Sequence, residues 1–159
     1  VSAALGVDGA PVAAALYNPA TDEMFEALAG GGARLNGEPM ALGPATAVEG
    51  ARLISSRAEQ DRKEWRAELS GGVGKAVSSM AYKLALVAAG RYDACVTLWP
   101  KSEWDIAAAA LLLSETGACM TDTRGAAFHY NKADTRLPAV VAAGPVLHAR
   151  LIERLAGRR

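Results

Sequence analysis

Short runs of small apolar residues, broken at brief intervals by turn residues, fill the first part of the chain. Residues 1–5 are apolar, and Asp8-Gly9 is a two-residue turn of the kind that closes hairpins. Residues 11–17 form a second run, ended by Asn18-Pro19 and Ala20-Thr21-Asp22. Residues 24–29 predict a third strand, with Phe25 and Ala27 on one face and Glu26 and Leu28 on the other. Gly30-Gly31-Gly32 predicts a tight turn, Ala33-Arg34-Leu35 a fourth short strand, and Asn36-Gly37 another turn. The expectation is an antiparallel meander of four strands.

The pattern changes after residues 41–50, a small-residue stretch rich in Ala, Gly and Pro. This divides the chain into a meander over 1–48 and a second part over 49–159. There the periodicity predicts a strand at 52–56, a surface helix at 61–69 carrying Trp65, and a flexible break at 70–74. Residues 78–89 are helical, with Met80, Leu84 and Val87 on one stripe, Ser78 or Ser79 as N-cap and Gly90 at C′. A strand at 92–98 precedes an Ala/Leu-rich helix at 105–116, stopped by Gly117. A strand at 119–121, a polar loop with a short turn at 130–132, a strand at 138–143 and an amphipathic helix at 146–155 complete the chain, with Arg158 and Arg159 suited to that helix's dipole. The second part is therefore α/β, with helices covering a mixed or mostly parallel sheet.

Composition narrows the function. Seventeen basic and seventeen acidic residues cancel, leaving no basic footprint for a nucleic-acid polymer and no polybasic membrane patch. The longest apolar run, 106–113, is too short to span a bilayer. Cys95 and Cys119 sit in apolar runs and read as buried free thiols, which suits a cytoplasmic location. The chain opens on Val1, in mid-pattern, as a fragment or processed chain would.

Candidate chemistry gathers at helix starts. Asp105 is a carboxylate at the mouth of a very apolar helix. It suits a hard cation such as Mg²⁺, which takes one or two carboxylates plus substrate phosphate oxygens; a plain N-cap is the alternative. Ser78 and Ser79 begin a helix whose free N–H groups suit a phosphate, or are ordinary caps. Lys83, one turn into that helix, pairs with phosphate or is solvated. Lys101 and Glu103 meet a polar part of a substrate or are exposed loop charges. His129 and His148 are too far apart to suggest a zinc pair, and Gly30-Gly31-Gly32 lacks the following helix of a nucleotide loop.

Collinear motifs add to this. Trp104-Asp105-Ile106-Ala107-Ala108, then Glu115-Thr116-Gly117 and Thr121-Asp122-Thr123-Arg124-Gly125, resemble the C-terminal WDxAAG…EAGG…TDxxG signature of the inositol monophosphatase family. Leu16-Tyr17-Asn18-Pro19, Asp22-Glu23-Met24-Phe25 and Gly31-Gly32-Ala33-Arg34-Leu35-Asn36-Gly37 are similar to its VYNP…DExF…GxGAxLNG segment. Ser78-Ser79-Met80-Ala81 and Val87-Ala88-Ala89-Gly90-Arg91-Tyr92-Asp93-Ala94 are similar to its GSxA helix, with Ser78 in place of the glycine. The resemblance implies a layered αβαβα fold and a magnesium-dependent, lithium-sensitive phosphomonoesterase acting on a small phosphorylated substrate, often as a homodimer. It implies Asp105 as a metal ligand and Ser78, Ser79 and Met80 beside the substrate, with Lys83, Lys101 and Glu103 shaping specificity. The Glu103-Trp104-Asp105 form, with Tyr130-Asn131-Lys132, is closer to the 3′(2′),5′-bisphosphate nucleotidase branch than to the inositol or sugar-phosphate branch. The family's GEE and DPIDGT metal motifs are absent from these residues. The expectation is a C-terminal portion of an enzyme, inactive alone; the alternative is a non-catalytic homologue acting as a binding or dimerisation module.

Overall fold

The computed structural model describes residues 1–61 and 76–157. The expected helix at 61–69 beyond Asp61, the break at 70–74, and Arg158 and Arg159 lie outside the described residues.

Five strands, β1 (Ser2–Val7), β2 (Ala10–Asn18), β3 (Glu23–Leu28), β4 (Gly32–Leu35) and β5 (Glu38–Pro39), pair antiparallel in chain order. The hairpin turns form where the sequence permits positive φ at both central residues, at Asp8-Gly9 and Asn36-Gly37. Strand alternation holds on β3: Phe25 and Ala27 are buried, while Leu28 points outward and is 64% exposed. The fifth strand, only two residues long, was not expected; Asn36-Gly37 folds the chain back against β4 and so creates it.

The second part supplies β6 (Leu53–Ile54), α1 (Arg57–Asp61), α2 (Met80–Ala88), β7 (Ala94–Thr97), β8 (Lys101–Ser102), α3 (Glu103–Glu115), β9 (Cys119–Thr121), β10 (Arg136–Leu137), β11 (Val140–Ala143) and α4 (Pro145–Ala156). A four-stranded sheet runs β6-β7-β11-β9, and β8 pairs with β10. Only β6 and β7 are parallel, so the sheet is mixed and mostly antiparallel rather than mostly parallel. Strands buried on both faces read as unbroken apolar runs whichever way they point. Asp93 ties β6 to β7, accepting hydrogen bonds from the Arg52 backbone N–H, Nε and Nη2 at 2.7, 2.9 and 2.8 Å.

Helices α2 and α3 pack on each other and lie between the two sheets; α4 covers the far side of the four-stranded sheet. The alternation in β11 shows this directly. Val140 and Ala142 join the core with α2 and α3, whereas Val141 and Ala143 join Leu147, Leu151 and Leu155 of α4. Sandwiched in this way, α3 is apolar nearly all round, with Ile106, Ala108, Ala109, Leu111, Leu112 and Leu113 buried. The inner core crosses the proposed division at 48, since Leu16 and Phe25 belong to the same cluster as Leu84 and Ile106. Glu115, at the end of α3, accepts the Gly30 and Gly32 N–H groups at 2.9 and 2.8 Å and clips the β3–β4 turn to the helix. Both glycines have positive φ, which frees their N–H groups to point the same way.

Cys95 is fully buried, and burial pushes its thiol up to about 12; Cys119 is only half-buried, because its edge strand β9 is less covered than β7. His148 packs inward, its Nε2 2.9 Å from Thr121 Oγ1. No helix among the described residues is long and apolar enough to cross a membrane.

Candidate active site

Three helix starts converge on one cleft of about 680 Å³. Ser79 is the N-cap of α2, and its Oγ accepts the Tyr82 N–H at 3.3 Å. Ser102 is the N-cap of α3, with Asp105 three residues on accepting the Ser102 N–H at 3.0 Å. Ser56 and Glu59 repeat the arrangement at α1: Glu59 Oε2 accepts the Ser56 N–H at 2.6 Å, and Ser56 Oγ accepts the Glu59 N–H at 3.3 Å. Tyr17 and Asn18 at the end of β2 form the opposing wall. The Met80 and Ala81 N–H groups and the positive ends of α2 and α3 thus face a common space, an arrangement that favours an anion. A hollow of about 510 Å³ on the outer face of the meander is lined mainly by Ala, Leu and Gly and lacks such convergence.

Six of the seven expected site residues line the cleft. Ser78 and Ser79 are exposed in it, and Met80 opens α2 beneath them. Lys101 stands on β8 and Asp105 one turn further on; both are half-buried, and Lys101 makes no ion pair among the described residues. Lys83 also lines the cleft, but it is 2% exposed rather than solvated, and its Nζ lies 2.9 Å from Glu59 Oε2. Burial works against ionisation of Glu59. The adjacent Thr97 hydroxyl (which falls short of hydrogen-bond geometry), the Ser56 N–H and the Lys83 ammonium nevertheless bring its carboxyl down to about 2. Tyr82, the residue before Lys83, donates its hydroxyl to Glu23 of β3, and the guanidinium of Arg91, just past α2, donates to the same carboxylate, fastening this helix to the meander.

Two expectations need correction. Asp105 is not an N-cap. The helix begins two residues earlier, at Glu103, because Ser102 caps it and Asp105 occupies the third helical position. Glu103 is neither an exposed charge nor part of this cleft. It is 8% exposed, and its two carboxyl oxygens accept the Asn131 N–H at 2.8 Å and the Lys132 N–H at 3.3 Å, satisfying a turn in which Asn131 has positive φ. It lines a separate hollow of about 330 Å³ with Tyr130. Glu59 was missed, although Ser56-Arg57-Ala58-Glu59 has the spacing of a capping box.

The fit to Mg²⁺ is partial. One oxygen of Asp105 takes the Ser102 N–H, leaving the other able to meet a cation in the cleft. No group of three or more His, Cys, Asp or Glu side chains suited to a metal occurs among the described residues. The donor set therefore fits one ligand of a hard cation rather than a whole coordination shell.

The chain is similar to known proteins over most of its length. An inositol-1-monophosphatase from Rhizobium meliloti is 35% identical over 135 residues, covering 79% of this chain and 50% of the relative. An inositol monophosphatase from Dictyostelium discoideum is 34% identical over 136 residues, 79% of this chain and 49% of the relative. The solved inositol monophosphatase of Anabaena (Nostoc) superposes with a TM-score of 0.83 at 25% identity, over 98% of this chain and 65% of that one. The chain spans about half the length of the curated relatives it matches. The profile of the inositol monophosphatase family matches residues 1–158, and the chain belongs to that family.

Proposed function

We propose that this chain forms the substrate-facing half of a magnesium-dependent phosphomonoesterase. The observation that carries the reading is the convergence of the α2 and α3 starts, Asp105 and Lys101 on one cleft. Ser78, Ser79 and the Met80 and Ala81 N–H groups at the start of α2 bind and orient the phosphate. Asp105 offers one oxygen to Mg²⁺, which when bound lowers the pKa of water and stabilises charge on the phosphoryl group. Lys101 faces a second anionic group. Because Lys83 sits one turn into α2, beside the phosphate that the helix start receives, support for a 3′(2′),5′-bisphosphate nucleotide over an inositol or sugar phosphate narrows to Lys101. A single carboxylate does not position a metal and a water, so residues 1–159 alone bind phosphate without hydrolysing it.

The test is Mg²⁺-dependent phosphate release from adenosine 3′,5′-bisphosphate and from inositol 1-phosphate. It is measured on the chain alone and on its complete reading frame. Activity in the complete frame only, abolished by Asp105→Asn, is expected. Inactivity in both, with phosphate binding retained, would favour a binding module.

A further inference from the structure

The Glu59–Lys83 pair is an unusual thing to place at the edge of a cleft. Both side chains are almost completely enclosed, at 3% and 2% exposure, yet both line the space that Ser78 and Ser79 open onto. Lys83 is the fourth residue of α2, one turn above Ser79. Helical side chains lean toward the N-terminus, so its head returns toward the free N–H groups of the first turn. An ammonium carries three N–H donors, and Glu59 takes one of them at 2.9 Å. Among the described residues no other partner is bonded to it, so two donors remain for a ligand oxygen. Glu59 is itself fixed by the Ser56 N–H.

We propose that Glu59 is a positioning residue for phosphate binding: it holds the Lys83 ammonium at the floor of the cleft, where a phosphate oxygen meets it together with the α2 N–H groups. A charge enclosed this far is costly without a partner. Glu59 removes that cost without consuming all the donors, so the lysine serves the ligand while remaining buried. The inference rests on the phosphate reading of the cleft and adds to it a residue from α1, a helix outside the first expectation.

The experiment uses the purified chain with EDTA present, so that Asp105 and metal play no part. Inorganic phosphate binding is followed by isothermal titration, and folding by thermal unfolding. The proteins compared are the wild type, Glu59→Gln, Glu59→Asp, Lys83→Met and the Glu59→Gln/Lys83→Met double variant. Gln keeps the Ser56 cap, since the third position of a capping box accepts Gln as well as Glu. Each of Glu59→Gln and Lys83→Met should weaken phosphate binding about tenfold or more, the scale of one charge-assisted hydrogen bond, with partial recovery in Glu59→Asp. The double variant, carrying no buried charge, should regain thermal stability but not phosphate affinity. A folded double variant that binds phosphate like the wild type would make the pair purely structural and overturn the inference. So would unaltered binding in Glu59→Gln. Absence of phosphate binding by the folded wild type would overturn the cleft reading and this inference with it, an outcome distinct from the previous two.

Discussion

Replacing Asp105 by Asn separates its two roles. The carboxylate accepts the Ser102 N–H at 3.0 Å from the third position of α3. Asn keeps an oxygen in that place, so the hydrogen bond survives in neutral form. What goes is one negative charge in the first turn, worth about 0.3–1 kcal/mol against the helix dipole. For a chain of this size that is a fall of about 0.6–4 °C in Tm. Asp105→Ala also loses the acceptor and should cost about 1 kcal/mol more. Function should respond on another scale. Loss of a metal-ligand oxygen should lower Mg²⁺-dependent phosphate release by about a hundredfold or more, since even outer-shell changes cost 10–100-fold. The assay is thermal unfolding of both variants beside phosphate release in the complete reading frame across a magnesium titration. Asn-variant activity within a few-fold of wild type at the same magnesium midpoint would refute the ligand assignment and leave Asp105 as a capping residue. An Asn variant destabilised as much as the Ala variant would refute the account of the helix start.

Acid should weaken the fold through Glu59. Its folded pKa, about 2, lies below the ordinary value of 4.5, so the stabilisation is present above pH 4.5 and is lost as pH falls toward 2. The full effect is about 3 kcal/mol, from 1.36 kcal/mol per unit, and a urea titration at several pH values should show a shallower acid limb in Glu59→Gln. Burial also lowers the His148 pKa, so neutral His148 is favoured in the fold and stability should already decline as pH drops below about 6.5, an effect that His148→Gln should remove. Gly90→Ala should cost about 3 kcal/mol or more by chemical denaturation, because Gly90 has a φ of +66° and a Cβ there would lie 2.6 Å from the Ala41 carbonyl oxygen. Leu112→Ala, at a fully buried position between the sheets, should cost about 2–5 kcal/mol by the same measurement.

Features written into neighbouring residues were the legible ones. Asp8-Gly9 and Asn36-Gly37 announced their hairpins, the alternation in 24–29 assigned the faces of β3, and Ser79 and Gly90 marked the ends of α2. Strands of two residues such as β5, β8 and β10 have no periodicity to detect, and α1, with five described residues, completes little more than one turn. Strand direction in the four-stranded sheet was illegible because both faces of β7 and β11 are apolar. The candidate site divides along the same line. Asp105, Ser78, Ser79 and Lys101 lie at or beside helix starts, and chain order alone exposes such positions. Lys83 and Glu103 carry equally plain charges, but their partners, Glu59 and the 131–132 backbone, lie 24 residues or more away and are visible only in three dimensions.

Glu115 has a dynamic consequence. A carboxylate at a helix C-terminus opposes the dipole, and here the Gly30 and Gly32 N–H groups offset that penalty. Ten residues earlier on the same helix, about 15 Å away at 1.5 Å per residue, Asp105 faces the cleft. The helix is thus anchored to the meander at one end and presents its ligand at the other. Amide exchange at Gly30 and Gly32 would then report whether α3 is seated. If α3 opens as a unit, those two protons and the Ser102 amide should exchange with a common opening free energy, and Glu115→Gln should accelerate all three together.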